Sequence, residues 1–267
     1  MTAWTYALLD SRFNWVPVQT GESGDLIYQR DDGLAYVKLA PAARSVDLAG
    51  ERDRLLWLHK RGITGPEVID WHETEEGVRL TMTTVPGVPA AGLSGADLLK
   101  AWPSMARQLA ILHELAVGEC PYDRGLLLMF DRAVDVVARD AVNPDFLSGE
   151  DKDIPAYELL AHITDELPVR LDQEAAERAV CHGDACMPNF IIDPRNLQCT
   201  GLIDFGRLGK ADRYADLSLM VASAGENWTT QAQAERAFGI LFGALGISAP
   251  DRDRLAFYLR LDPLTWG

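Results

Sequence analysis

Two aspartates and one asparagine in the second half of the chain have a spacing suited to phosphoryl transfer. Asp184 lies within Cys181–Asn189, Asn189 follows it by five residues, and Asp204 in Ile203-Asp204-Phe205-Gly206 follows it by twenty. Phosphoryl transfer needs a carboxylate near the attacking hydroxyl and oxygen ligands that hold Mg²⁺ on the phosphates. We therefore expect Asp184 to accept the hydroxyl proton, and Asn189 and Asp204 to bind Mg²⁺.

A lone Asp-Phe-Gly would be weak evidence, because aspartates are common in ordinary turns. Here Asp184 and Asp204 each follow apolar, strand-forming residues. The pair at this spacing favours the catalytic interpretation. We also expect Gly206 to let the backbone turn where a side chain would block it.

Lys38 is the one cation in Ala35-Tyr36-Val37-Lys38-Leu39, a run that otherwise reads as a buried strand. Glu51 falls on the apolar stripe of a predicted helix, where an unpaired carboxylate is costly. A Lys38–Glu51 ion pair would remove that cost and present an ammonium group to phosphates. The alternative is that Glu51 pairs with Arg52 or Arg54 while Lys38 extends to water.

The segment Gly21-Glu22-Ser23-Gly24 predicts a turn that covers phosphates, with backbone N–H groups and the Ser23 hydroxyl near the β-phosphate. A plain hairpin turn is the alternative. The turn is not a Walker loop, since that motif does not occur in the sequence. The sequence also contains no Gly-x-Ser-x-Gly or His-Glu-x-x-His motif, so a hydrolase has no support.

Zinc is also disfavoured. Cys181, His182 and Cys186 lie close together, but no second ligand pair has zinc-site spacing. We expect His182 to orient the loop through a hydrogen bond, and Cys120 and Cys199 to be packing residues.

The elements that must position these residues change in character near residue 87. Before it lie short runs rich in strand-forming residues, separated by turn residues. The predicted strands are Trp15–Thr20, Asp25–Arg30, Leu34–Leu39, Glu67–Glu73 and Val78–Val85. One helix over Asp47–Arg61 interrupts them, with Gly62 after it.

After residue 87 the pattern is mostly helical. Ser94-Gly95-Ala96-Asp97 predicts a helix start, and Pro103 inside that helix predicts a kink or a late start. Further helices are expected at about 126–140, 155–167, 212–224, 230–245 and 251–260. One late hairpin joins Phe190–Asp193 to Gly201–Asp204. The sequence predicts an α+β protein, with a β-rich part over residues 1–87 and a helical part over 88–267.

The charge balance excludes some functions. The chain has 25 Lys and Arg against 40 Asp and Glu, a net charge of −15. A nucleic-acid binder needs the opposite balance, whereas a small polycation would be attracted. From Asp140 to Glu177, 11 acids stand against Lys152 and Arg170. That run is a solvated face or, on the sharper interpretation, a wall that receives cations.

No apolar run is long enough to span a membrane, and Met1–Trp15 lacks the pattern of a secretory signal. We therefore expect no membrane association, a cytoplasmic protein, and four free thiols rather than disulfides.

These motifs resemble the aminoglycoside phosphotransferases, antibiotic kinases that share the protein-kinase fold. The resemblance runs from Gly21–Asp25 to Phe257–Asp262 and is especially close over Cys181–Asp193 and Gly201–Leu217. Three further stretches are similar to the streptomycin 3''-phosphotransferase branch. They are Pro86–Ala91, Leu98–Ser104 and Arg254–Gly267.

The resemblance implies a bilobal kinase-like fold and ATP-dependent phosphorylation of the 3'' hydroxyl of streptomycin, giving resistance. It implies that Tyr36 lies against adenine and that backbone groups of Thr83 and Val85 contact the adenine edge. It places Arg207 near the transferred phosphate, and Glu226 and Asp262 along the antibiotic site.

Two departures from the family pattern are present. Phe205 stands where many of these kinases have Leu, and the 140–155 loop aligns poorly with the kanamycin-type enzymes.

Other functions stay open. One is a kinase for another aminoglycoside or a small amino alcohol, and another is a nucleotide-binding regulator with an inactive kinase fold. The intact set of Lys38, Glu51, Asp184, Asn189 and Asp204 argues against the regulator. A monomer is expected.

Overall fold

A computed structural model describes Thr5, residues 8–18 and residues 25–267 of the chain. Ser23 and its glycine turn therefore lie outside the described residues. The chain divides into two compact units. The first comprises Met1–Val88, Ile191–Pro194 and Thr200–Gly206. The second comprises Pro89–Phe190, Arg195–Cys199 and Arg207–Gly267.

Ten strands, together with the seven α-helices from Ser45 onward, are numbered here in chain order. The strands are β1 (Trp15–Pro17), β2 (Leu26–Arg30), β3 (Ala35–Pro41), β4 (Val68–Glu73), β5 (Gly77–Thr83), β6 (Val88–Pro89), β7 (Arg178–Cys181), β8 (Phe190–Asp193), β9 (Gln198–Leu202) and β10 (Gly209–Asp212). The helices are α1 (Ser45–His59), α2 (Gly95–His113), α3 (Leu126–Ala138), α4 (Ala156–Glu177), α5 (Arg213–Ser223), α6 (Gln231–Ala244) and α7 (Arg252–Leu261).

The first unit contains an antiparallel sheet in the order β1-β2-β3-β5-β4. Val37 and Leu39 of β3 pack on one face with Leu8 and Tyr28. Because side chains alternate along a strand, Lys38 points to the other face. The predicted antiparallel β-rich part is confirmed.

Helix α1 packs against β3 and β5. Its buried side chains are Leu48, Glu51, Leu55 and Leu58, spaced three or four residues apart. Glu51 therefore occupies the apolar stripe, as the sequence pattern indicated. After the helix, Gly62 adopts a positive φ of 70°, a conformation that favours glycine.

The late hairpin is present as β8 and β9, which form a three-stranded sheet in the order β6-β8-β9. Within the first unit, Gly87 has a φ of 140°, and a Cβ there would lie 2.5 Å from the carbonyl oxygen of Ile192. A larger residue would clash with β8, so this position, where the sequence changes in character, requires glycine on steric grounds.

The second unit is mainly helical, and its buried core includes Trp102, Met105 and Leu109 of α2. The Trp102 indole N–H donates to the carbonyl oxygen of Ala237 in α6 (2.8 Å). Ser94 caps α2 by accepting from the Asp97 N–H, and the helix continues through Pro103 from Gly95.

Helix α4 differs from the prediction because it continues to Glu177, ten residues past the expected end at 167. Pro168 lies inside this helix, but the buried side chains after the proline contact other parts of the chain. The Arg170 Nη1 lies 3.6 Å from Oδ2 of Asp251, outside this helix, and the Glu174 carboxylate accepts the Leu126 N–H (2.9 Å). These tertiary contacts outweigh the helix-breaking tendency of proline.

Strands β7 and β10 were missed by the sequence analysis. They pair antiparallel, with Cys181 opposite Gly209. In the part of the chain that the structure describes, no helix is both long and apolar enough to cross a membrane.

Candidate phosphoryl-transfer site

The first group of candidate residues lies in the first unit and centres on Lys38. Its Nζ donates to both carboxylate oxygens of Glu51 (2.7 and 2.9 Å) and to Oδ1 of Asp204 (2.9 Å). Lys38 and Glu51 are only 7% and 4% exposed. Arg52, an alternative partner for Glu51, pairs with Asp53 instead. The predicted Lys38–Glu51 ion pair is thus present.

Charge stabilises the ammonium form of Lys38. Burial alone would lower the pKa of Lys38, but the carboxylates of Glu51 and Asp204 raise that pKa above its usual value. The ammonium group is therefore fixed in place and fully charged at neutral pH. That is the state needed to bind phosphate oxygens.

The backbone turn at the Asp-Phe-Gly motif differs from expectation. The positive φ falls on Asp204, at 65°, and not on Gly206. A Cβ at Gly206 would lie 3.9 Å from Glu51 Oε2, which is an ordinary contact, so the expected steric need for that glycine was wrong. A non-glycine residue with positive φ is uncommon and is often found at functional sites.

Phe205 anchors this turn. It is fully buried, and a Cβ at Gly65 would lie 2.9 Å from its ring. The aromatic side chain at this position is thus accommodated by a glycine on the facing loop.

The second group lies on the loop after β7, in the second unit. The Asn189 Nδ2 donates to the Asp184 carbonyl oxygen (2.8 Å) and to Asp184 Oδ2 (3.0 Å). The Asp184 N–H donates to Nδ1 of His182 (3.2 Å), so His182 orients the loop as the sequence predicted. Asp184 is half-buried and Asn189 is buried.

A buried carboxylate that sequence reasoning missed holds this loop from behind. Asp216 of α5 accepts the backbone N–H groups of His182 (2.7 Å) and Gly183 (2.8 Å). Its Oδ2 also pairs with His113 Nε2 of α2 (2.9 Å). Burial alone would raise the pKa of Asp216, but the hydrogen bonds from His113 and Gly183 bring the pKa below its usual value.

Gly183 explains why the loop runs as it does. Its φ is 84°, and a Cβ there would lie 2.2 Å from the carbonyl oxygen of Arg207. Only glycine satisfies both the backbone conformation and the close approach. Asp184, the residue predicted to contact the substrate, is the next residue in the chain, so the conformation of Gly183 determines where Asp184 lies.

The remaining predicted residues occupy different surroundings. Arg207 donates from Nη2 to Thr265 Oγ1 (2.6 Å), and Asp262 is buried, with Oδ1 3.5 Å from Arg207 Nη1. Glu226 lies exposed in the turn Gly225–Asn227. Asp262 is thus already surrounded by protein groups, whereas Glu226 is open to a ligand.

The predicted adenine contacts lie on or just after the sheet of the first unit. Tyr36 is half-buried on β3, and burial raises the pKa of its hydroxyl. The Thr83 N–H already donates to Glu67 O (2.9 Å), which leaves its carbonyl as the backbone group to consider. Val85 is buried after β5.

Each predicted metal ligand, considered within its own unit, offers an oxygen donor that suits Mg²⁺ better than zinc. Because the Asn189 amide nitrogen is used by Asp184, its oxygen remains as a hard ligand, and Asp204 supplies a carboxylate. Among the described residues, His113, Cys181 and Asp216 also cluster, but Asp216 is occupied by N–H donors. Burial raises the pKa of the Cys181 thiol, so the thiolate that zinc requires is disfavoured.

Known proteins are similar to this chain over nearly its whole length. The profile of a phosphotransferase enzyme family matches residues 14–258. The streptomycin 3''-kinase of Streptomyces griseus is 48% identical over 254 residues, 95% of this chain and 93% of that protein. The aminoglycoside 3'-phosphotransferase of Streptomyces fradiae is 37% identical, covering 93% of this chain and 94% of that protein.

A solved structure gives the same result for the fold. Aminoglycoside phosphotransferase APH(3'')-Id from Streptomyces rimosus, in complex with ADP and streptomycin, superposes with a TM-score of 0.90 at 46% identity. The match covers 95% of this chain and 93% of that one. The fold is kinase-like, as the resemblance implied.

Proposed function

The chain belongs to the phosphotransferase enzyme family, and we propose that it transfers the terminal phosphate of ATP to the 3'' hydroxyl of streptomycin, conferring resistance. The observation that carries this proposal is the placement of Asp184, a half-buried carboxylate on a loop bound at both ends by hydrogen bonds. The similarity to a streptomycin 3''-kinase supports the choice of substrate.

Asp184 acts as the base in the proposed reaction. As the 3'' oxygen attacks the terminal phosphorus, the new O–P bond forms and the bond from that phosphorus to the bridging oxygen breaks. ADP leaves with the bond's electron pair, and the hydroxyl proton passes to the Asp184 carboxylate. Asn189 orients that carboxylate through its 3.0 Å hydrogen bond.

The first unit supplies the nucleotide contacts. Lys38 binds phosphate oxygens with its ammonium group, and Glu51 keeps that group charged and in place. We assign adenine to the half-buried ring of Tyr36 and to backbone groups of Thr83 and Val85. Ser23, outside the described residues, keeps its proposed role at the β-phosphate.

Asn189 and Asp204 are the residues that would hold Mg²⁺, through an amide oxygen and a carboxylate. The metal, when bound, neutralises charge on the phosphates. Asp204 also contacts Lys38, so the same carboxylate would serve both the cationic side chain and the metal.

Substrate recognition follows from charge. Streptomycin carries two guanidinium groups and one secondary amine, and guanidinium pairs with carboxylate through two hydrogen bonds. The net charge of −15 attracts such a substrate. Exposed Glu226 is a candidate contact. Asp262 acts on the substrate side through its neighbour Arg207, which is proposed to stabilise charge on the transferred phosphate.

The test is ATP consumption by the purified protein with Mg²⁺, with streptomycin and kanamycin side by side, followed by mass analysis of each drug. We expect one phosphate on streptomycin and none on kanamycin, and fragmentation should place it at the 3'' position. Transfer to kanamycin alone would contradict the substrate and favour a 3'-phosphotransferase like the 37% identical relative. Because the reaction consumes ATP, we propose the cytoplasm as its compartment.

A further inference from the structure

Arg207 is held on two sides by residues just beyond α7. Its Cζ lies 4.0 Å from the centre of the Trp266 ring, and its Nη2 donates to Thr265 Oγ1 (2.6 Å). The Arg207 side chain is 18% exposed and Thr265 is 1% exposed. One face and one edge of the guanidinium are thus in contact with a single short segment.

The polarity of these hydrogen bonds is fixed. The Thr265 hydroxyl has one hydrogen, which it donates to the Asp262 carbonyl oxygen (2.7 Å), so towards Arg207 it can only accept. The Trp266 Nε1–H donates to Asp262 Oδ2 (3.0 Å). Trp266 therefore contacts Arg207 directly and also orients the carboxylate that faces it.

The indole is itself held in place. The Phe146 ring meets it edge to face, with ring centres 5.8 Å apart. The Arg132 Nε donates to the carbonyl oxygen of Thr265 (2.7 Å), which ties the segment to α3. The ring that stacks on Arg207 is therefore a rigid surface.

Such a surface is needed because a second guanidinium competes for the same carboxylate. Arg124 Nη2 lies 3.4 Å from Asp262 Oδ1, and Arg207 Nη1 lies 3.5 Å from the same atom. Two like charges beside one oxygen repel each other, and an arginine side chain has many rotamers available. Stacking on an aromatic face attracts the cation and selects one orientation.

We propose that Trp266 is a positioning residue for Arg207, holding its guanidinium by stacking and by orienting Asp262. This inference rests on the proposed function, in which Arg207 stabilises charge on the transferred phosphate. Trp266 then acts on the chemical step and not on nucleotide binding.

The test compares Trp266→Leu, which removes the π face and the N–H, with Trp266→Phe, which keeps an aromatic face. We expect Trp266→Leu to lower kcat about 5- to 30-fold, with KM for ATP changed less than about twofold. Trp266→Phe should recover most of that loss. Trp57→Leu is the matched control. The Arg61 Cζ lies 4.0 Å from the centre of the Trp57 ring, the same distance as in the Arg207–Trp266 pair, but this pair belongs to the first unit. The substitution should therefore leave kcat unchanged.

A double-mutant cycle separates positioning from a general structural role. In an Arg207→Ala background, Trp266→Leu should lower kcat by less than about twofold further, because its target is gone. An undiminished loss in that background would overturn the inference, as would equal losses for Trp266→Phe and Trp266→Leu. Absence of drug phosphorylation by the unaltered protein would instead overturn the proposed function, so the two failures are distinguishable.

Discussion

The Lys38 group in the first unit and the Asp184 loop in the second are held in place by different means. Lys38 is fixed by ion pairs between the functional side chains themselves, Glu51 and Asp204. Asp184 lies on a loop whose backbone is bound by Asp216, a residue with no proposed chemical role. In the first group the residues that hold Lys38 in place also have proposed chemical roles. In the second group the residue that holds the loop in place, Asp216, is distinct from the residue that would do the chemistry, Asp184.

The largest effect on activity is expected from a substitution of Asp184 in the second group. Asp184→Asn removes the proposed base but keeps the size of the side chain and leaves Asp216 in place. We expect kcat to fall about 10²- to 10⁴-fold, while ATP with Mg²⁺ still raises Tm. Steady-state kinetics and thermal denaturation measure the two effects. Asp165→Asn, at an exposed position of α4, is the control and should change neither. Turnover within tenfold of the unaltered protein would remove Asp184 as the base.

Glu51→Gln tests the first group, where support and chemistry coincide. The variant leaves Lys38 with one fewer charged partner, and hydrogen bonds to charged groups contribute about 1.5–3 kcal/mol. We expect kcat/KM for ATP to fall about 10- to 150-fold, together with a lower Tm, because one contact serves both purposes. Asp53→Asn on the exposed face of the same helix is the control. A change in activity with no change in Tm would contradict the inseparability of the two roles.

A substitution of His113 tests the hydrogen bond that holds Asp216 in place, without changing a residue that has a proposed chemical role. His113→Leu removes the partner of Asp216, and we expect the free energy of unfolding to fall about 1.5–3 kcal/mol. His113→Gln keeps a donor near the position of Nε2 and should recover part of that loss. Urea denaturation measures both variants, and His162→Leu, at an exposed position, is the control. Equal losses for His113→Leu and His113→Gln would show that packing, not the hydrogen bond, supports Asp216.

The same contrast explains how much the sequence could predict. The Lys38–Glu51 pair was predictable because a glutamate on an apolar helical stripe must find a cation. Asp184, Asn189 and Asp204 were identified by residue type and spacing, since phosphoryl transfer allows few alternatives. The antiparallel sheet followed from alternating runs separated by turn residues.

The support of the catalytic loop could not be read in the same way. His113 and Asp216 are 103 residues apart, and each looks like an ordinary polar residue on a helix. Strands β7 and β10 have four residues each, too few for a periodic pattern. Helix α4 continues past Pro168 because Arg170 pairs with Asp251 and Glu174 accepts from Leu126, partners that only the folded chain brings together.

The contributions of Lys38 and Asp216 to the free energy of unfolding should be lost at opposite ends of the pH range. Near neutral pH both contributions are complete and do not change with pH. The raised pKa of Lys38 means that its contribution is complete below the unfolded value of about 10.4 and is lost as pH rises through the folded pKa. The lowered pKa of Asp216 means that its contribution is complete above about pH 3.9 and is lost as pH falls through the folded pKa. Thermal denaturation at a series of pH values measures both. The Tm difference between the unaltered protein and Lys38→Met should shrink only in alkali, and that for Asp216→Asn only in acid. If both differences shrank at the same end of the pH range, the Lys38 ammonium and the Asp216 carboxylate would not be held by the contrasting contacts described above.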